Sequence, residues 1–157
     1  WTETLSIALQ GPVQFMNEIL PGMCERKWGR VINIATAAAK YPSAARILSG
    51  PPRAALVNYT VAVSKEVAKY NVCVNNILPG MHITDPIVEM FTNIAKENGT
   101  TMDEEIMNVV KEHKIAAGRF GDPNDIGSVV AMLCSEFSNY ITGQSLIVDG
   151  GVTNSIF

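Results

Sequence analysis

Three short apolar runs, set far apart by helix-length stretches, limit what this chain can fold into more than any other feature of it. Val31-Ile32-Asn33-Ile34, the stretch 72–78 and Ser145-Leu146-Ile147-Val148 are rich in β-branched and aliphatic residues, and none alternates strictly between apolar and polar. A strand without a polar face is covered on both sides. The stretches between them carry apolar residues at helical spacing, and strands joined through helices run parallel with right-handed crossovers. The pattern predicts a single α/β domain over residues 1–157, three layers deep, with helices on both faces of a parallel sheet.

Leu5, Ala8, Leu9, Val13, Met16, Ile19 and Leu20 recur every three or four residues, which predicts an amphipathic helix over 2–20. Pro12 should bend it, and Pro21-Gly22 should end it. A second helix is expected over 53–70, with Leu56, Tyr59, Val63, Val67 and Tyr70 on one face. Ser49 or Gly50 would cap it, and Pro51-Pro52 suit its first turn, where a missing N–H is not needed. The segment 85–118 is more polar and Met-rich, with helices expected over 87–98 and 103–114. Asp122-Pro123-Asn124-Asp125 is a helix start, with a capping acid, a first-position proline and an acid for the helix dipole. Three strands leave the 31–34 strand with an open edge, to be covered by upstream chain or by another protomer.

Composition excludes several classes of partner. Twelve Lys and Arg against fifteen Asp and Glu leave a net charge of −3, whereas phosphate backbones are bound by clustered cations. No apolar run approaches the roughly 20 residues that cross a bilayer, and the N-terminus lacks a secretory pattern. Cys24, Cys73 and Cys134 are widely spaced with no C-x-x-C pair, so reduced thiols, a cytoplasmic setting and no metal site are expected. Trp1 stands where translation would place Met, so the chain is expected to be processed or part of a longer one.

Six segments follow one another along nearly the whole chain: Leu20-Pro21-Gly22-Met23, Gly29-Arg30-Val31-Ile32-Asn33-Ile34, Arg53-Ala54-Ala55-Leu56, Val74-Asn75-Asn76-Ile77-Leu78-Pro79-Gly80, Gly118-Arg119-Phe120-Gly121-Asp122-Pro123, and the run from Tyr140 through Gly143 and Asp149 to Gly151. Together they resemble the short-chain dehydrogenase/reductase family, in particular its β-ketoacyl-(acyl-carrier-protein) reductase-like branch. The resemblance implies the C-terminal half of a Rossmann-like doubly wound parallel sheet. About a hundred upstream residues would then carry the first strands and the Gly-rich turn that lets a backbone approach a diphosphate. No G-x-G-x-x-G or G-x-x-x-G-x-G occurs here, so the dinucleotide site needs that missing half. The resemblance further implies NAD(P)(H), with the choice between the two left open, a small carbonyl or alcohol substrate of apolar or acyl character, and a homodimer or homotetramer.

In that family a Tyr phenol exchanges the proton, a Lys four residues on lowers its pKa, a Ser thirteen residues before it orients the substrate oxygen, and an Asn completes a relay. The resemblance puts Thr36 at the Ser position, Ser49 at the Tyr position and Arg53 at the Lys position, with both separations kept. Ala8 stands at the Asn position. Thr36 keeps a hydroxyl, and Arg53 keeps a cation for the cofactor's ribose hydroxyls, but as a planar fork instead of a point charge. Ser49 is the severe change, because an alkyl hydroxyl is far less acidic than a phenol and a ring shorter. Plain structural readings compete throughout: Ser49 as a helix cap, Thr36 as a backbone cap, Arg53 as a solvated helix residue. Tyr41 and Tyr59 are substitute acids or packing residues.

Pro79, Gly80, His82 and Thr84 resemble the family's loop against the nicotinamide, where the contacts come largely from backbone and so survive side-chain change. His82 as a base is a further reading of the same loop. The segment 85–118 matches the family's substrate-covering lid, and Met90, Phe91, Met102, Ile106 and Met107 would line an apolar pocket or pack helix on helix. The expected function is an NAD(P)-dependent oxidoreductase with atypical catalytic residues. The alternative is a catalytically silent structural or regulatory relative.

Overall fold

A computed structural model describes residues 1–154. Three strands, β1 (Gly29–Ile34), β2 (Val72–Pro79) and β3 (Ser145–Val148), form one parallel sheet in the order β1-β2-β3. Gly29 pairs with Val72 and Asn76 with Ser145, which sets the register across all three. The fold class and the parallel pairing expected from the sequence are both present.

The first helix starts as α1 (Thr2–Leu5), passes through a π-helical segment (Ser6–Gln10) and continues as α2 (Gly11–Glu25). Pro12 accounts for the π segment: it has no N–H for the Ala8 carbonyl, and the Gly11 N–H reaches back to the Ser6 carbonyl instead. Pro21-Gly22 does not end the helix as expected; α2 runs on to Glu25 and stops where Lys27 turns to φ 54. Pro21 and Asn17 both face solvent, so the carbonyl that Pro21 cannot serve is left to water, while Leu20 and Met23 keep packing on the core. Proline forfeits one helical hydrogen bond, and that loss costs less where the orphaned carbonyl is open to water.

Helices α2 and α3 (Gly50–Val67) cover one face of the sheet, with Met16, Leu20, Leu56 and Val67 packed on Val31, Val72 and Val74. Asn33 lies among them and donates to Thr60 Oγ1 at 2.9 Å. A 3-10 turn after α3 ends at Asn71 in the left-handed conformation, which Asn tolerates better than most residues. Its carbonyl accepts from Gly29 N and from Arg30 Nη1, so the buried Arg30 ties the start of β1 to the start of β2; Arg30 also bonds Asn139 and lies over Trp28.

Helix α6 (Pro123–Cys134) covers the other face through the fully buried Leu133 and begins at the predicted Asp122 cap. Between β2 and α6 stand α4 (Asp85–Asn98) and α5 (Met102–Glu112). They form a small core of their own, in which Phe91 meets Phe120 edge to face at 5.7 Å beside Ile106, Val110 and Ile115. Of the five residues expected at an apolar pocket, Phe91, Ile106 and Met102 belong to this core, and Met90 and Met107 point outward at 43% and 41% exposure. Two short amphipathic helices satisfy each other first, which is why spacing alone left pocket and packing undecided.

The outer edge of β1 has no partner strand among the described residues. A trough of about 630 Å³ runs beside it, lined by Phe15, Ile19, Met23, Arg30 and Ile32. No helix of the described residues is long and apolar enough to cross a membrane.

Candidate active site

Every strand of a parallel sheet ends on the same side, and the crevice outside those carboxyl ends is where such sheets bind ligands. Here β1 leads into Thr36, β2 ends at Pro79 and β3 ends at Val148. The crossover from β1 returns through α3, so the N-terminus of α3, with Ser49 and Arg53, is delivered to that same edge.

Thr36 is extended (φ −161°, ψ 149°) and caps the 3-10 turn Ala37–Ala39, its Oγ1 accepting from Ala38 N at 3.4 Å. The hydroxyl hydrogen is not used in that bond. Ser49 stands at the cap position of α3 without making a side-chain cap. Its Oγ instead accepts from Arg53 Nη1 at 3.1 Å, and its carbonyl accepts from the same nitrogen at 3.3 Å. The four-residue spacing seen in the sequence is therefore a real side-chain pair on one helical face. Gly50 brings this pair against the Thr36 turn: a Cβ on it would lie 2.9 Å from the Ala38 carbonyl oxygen. Ala8 is buried in the π segment and offers no polar group.

The two candidate phenols have different surroundings. Tyr59 donates to Asn17 Oδ1 at 2.6 Å across the α2–α3 layer and packs on the main core. Tyr41 has a buried hydroxyl with no hydrogen-bond partner and a ring beside Lys40. Among the described residues, neither phenol bonds Thr36, Ser49 or Arg53.

The loop after β2 is held from two sides. Gly80 N donates to the Val148 carbonyl, and a Cβ on Gly80 would sit 2.7 Å from Asp149 Cα, so only glycine fits where β2 and β3 converge. Asp149 in turn accepts from Gly151 N and Thr153 N, which braces the end of β3. Beyond Gly80, His82 pairs in parallel with Gly121 through Gly121 N to the Met81 carbonyl and Ile83 N to the Gly121 carbonyl. In such a ladder the bridging residue's own groups face the other way. His82 N–H and C=O therefore present an adjacent donor and acceptor on the edge away from Gly121. Thr84 follows, exposed, at the start of α4.

The His82 ring is buried, with Nδ1 3.2 Å from the Gly80 carbonyl. It fills the space that Gly121 leaves open; a Cβ on Gly121 would meet ring atoms at 2.5 Å. The expected result for Gly121→Ala is a destabilisation of about 1–3 kcal/mol, because the confined ring must move and take the loop with it. Urea titration measures it, and an unchanged midpoint would contradict this packing.

Other carboxylates serve helix starts. Asp125 is held below the usual range chiefly by the Asp122 backbone N–H, with Arg119 assisting. Glu104 is lowered by Thr101 and Glu105 by Thr100 and Asn98, all at the entry to α5. Sequence reading missed Arg46, whose Nη2 crosses from the 37–49 loop to Met81 Sδ at 3.8 Å; an arginine within an Ala- and Ile-rich run was the available signal. Gly121 was quoted only as part of a motif, since its role depends on a residue 39 positions earlier.

A family profile described as "Enoyl-(Acyl carrier protein) reductase" matches residues 1–153. The chain belongs to the short-chain dehydrogenase/reductase family. It is 33% identical over 152 residues to a 3-oxoacyl-(acyl-carrier-protein) reductase of Aquifex aeolicus, covering 97% of this chain and 56% of that protein. It is 30% identical over 156 residues to the human dehydrogenase/reductase SDR family member 4, covering 99% and 52%. The L-sorbose reductase of Gluconobacter frateurii, a structure complexed with NADPH and L-sorbose, superposes with a TM-score of 0.91 at 27% identity, over 98% of this chain and 58% of that one. The chain thus spans about half the length of the curated relatives it matches. As a short-chain dehydrogenase/reductase it has a parallel three-strand sheet flanked by helices. The profile's description and the relatives' names differ in substrate, so membership of the family does not name one.

Proposed function

We propose that this chain forms the substrate and nicotinamide side of an NAD(P)-dependent carbonyl reductase or alcohol dehydrogenase whose proton-handling residues are atypical. The observation that carries the reading is the His82 main-chain pair at the same sheet edge as the Ser49–Arg53 contact. A primary amide needs one acceptor and one donor side by side, and His82 N–H and C=O supply them. The nicotinamide carboxamide is such a group, and Pro79, Gly80 and Thr84 would hold its surroundings, with Arg53 toward the ribose. The cofactor, when bound, supplies or takes the hydride.

The chain's own residues bind and polarise the other reactant. Thr36 Oγ1 keeps a free hydroxyl hydrogen for a carbonyl oxygen. Arg53 donates to Ser49 Oγ, which turns the Ser49 hydrogen away from the guanidinium and toward the crevice. In reduction, hydride adds to the carbonyl carbon and one proton to its oxygen; Ser49 Oγ–H is the donor offered, and Arg53 steadies the charge left behind. An alkyl hydroxyl is a poor acid, so turnover is slow relative to a phenol-bearing site. A resemblance to 3-oxoacyl-(acyl-carrier-protein) reductases points to an acyl or apolar carbonyl substrate.

The second reading, a catalytically silent relative, is favoured by the missing phenol alone. Titration of the full-length protein with NADPH and NADH, followed by cofactor fluorescence, separates the two. Saturable binding is expected with at least one of them. No binding at millimolar cofactor would remove the enzyme reading.

A further inference from the structure

A cavity of about 270 Å³ lies between the 37–47 loop and the first turn of α3. Ala38, Pro42, Ile47, Gly50 and Ala54 make it apolar, and Arg46 is the one cation in its wall. Its position follows from the chain. Ala38 is two residues past Thr36, Gly50 directly follows Ser49, and Ala54 directly follows Arg53. The cavity therefore adjoins all three site residues through their immediate neighbours while using none of their reactive groups.

Arg46 stands in the cavity wall on the side of the loop after β2, with Nη2 3.8 Å from Met81 Sδ. A thioether is a weak acceptor, and a guanidinium has five N–H donors, so most of its capacity is unspent. The ion pair formed among the described residues is Arg119–Asp125, and no carboxylate lies within reach of Arg46. The side chain is exposed, which keeps those donors open to an incoming ligand. A planar cation with free donors is best matched by a carboxylate, which it binds in two parallel bonds. Beside an apolar cavity slightly smaller than the roughly 300–1,000 Å³ of drug-sized sites, the match is a short apolar chain bearing that carboxylate.

We infer that the cavity is a subsite for an apolar oxo-carboxylate, whose chain fills the space between Ala38 and Ala54 and whose carboxylate binds Arg46. The carbonyl in that ligand rests on the reductase reading; the carboxylate subsite does not. Binding of hexanoate and of hexanamide, measured by calorimetry, tests the subsite alone. Hexanoate is expected to bind roughly tenfold or more tightly than the amide, the effect of a charge-assisted contact. Arg46→Gln, at an exposed position that leaves the fold intact, should remove that preference, and Ala54→Phe should weaken both ligands by filling the cavity. Equal binding of the two ligands, or a preference that survives Arg46→Gln, overturns the inference. Turnover by the full-length protein with NADPH and with NADH then distinguishes the two claims. Reduction of 3-oxohexanoate well ahead of its methyl ester supports both; equal rates on acid and ester sink the subsite and leave the reductase; hexanoate binding without turnover of either upholds the subsite and sinks the reductase.

Discussion

Ser49→Tyr combined with Arg53→Lys raises the turnover of carbonyl reduction by about 10²–10⁴-fold, the usual contribution of a positioned general acid. Three physical differences produce the gain. A phenol titrates near 10 and is brought lower by a neighbouring cation, whereas an alkyl hydroxyl is far weaker as an acid. The phenol oxygen also stands a ring further out from the backbone, in the crevice instead of at its wall. Finally, an ammonium acts as a compact charge, while the present guanidinium is committed to both the hydroxyl and the carbonyl of Ser49. Each single variant gains little: Arg53→Lys alone leaves the weak acid in place, and Ser49→Tyr alone faces the planar fork. Single-turnover rates across pH measure the effect, and the double variant should acquire a titrating limb that the parent lacks. A folded, cofactor-binding double variant that is no faster would show that proton delivery is not what limits this site.

Asn75→Leu is expected to cost about 2–5 kcal/mol and to lower the thermal midpoint by roughly 5–15 °C. Asn75 is fully buried in the middle of β2. Its Nδ2 donates to the Ile141 carbonyl at 2.8 Å and its Oδ1 accepts from Gln144 N at 2.9 Å. Those two bonds hold the 139–144 connection that delivers β3 to its register. Leucine has nearly the same size but leaves a carbonyl and an N–H of that connection unserved, at about 1–3 kcal/mol each. The damage should travel, because β3 ends at Val148 and Asp149, on which Gly80 rests. Cofactor affinity should therefore fall along with stability. An unchanged midpoint with full cofactor binding would mean that the connection is held by other contacts.

Much of this architecture could be read before any coordinates. The aliphatic runs named the strands, and their separation by helices made them parallel; β3 has the expected bounds, while β1 starts two residues earlier and β2 ends one residue later. Asp122-Pro123-Asn124-Asp125 announced α6 because a cap works through bonds within four residues. The spacing from Ser49 to Arg53 announced a contact because one helical turn sets it. Such features depend on near neighbours in the chain, and sequence displays near neighbours directly.

Other features were settled by packing across the chain. Pro21 is tolerated because its side of α2 faces water. Phe91 and Ile106 turn inward because α4 and α5 meet each other, so these apolar residues form a core between the two helices. Gly121 matters because of His82, Gly80 because of Asp149, and Asn75 because of a loop that arrives some 66 residues later. By itself the sequence determined the strands, the longer helices, their order and the spacing of Ser49 from Arg53, since periodicity and spacing are local properties. The tertiary structure alone decided which main-chain groups were left free at His82 and which cation faced the crevice, because steric fit and hydrogen-bond completion exist only once distant segments touch.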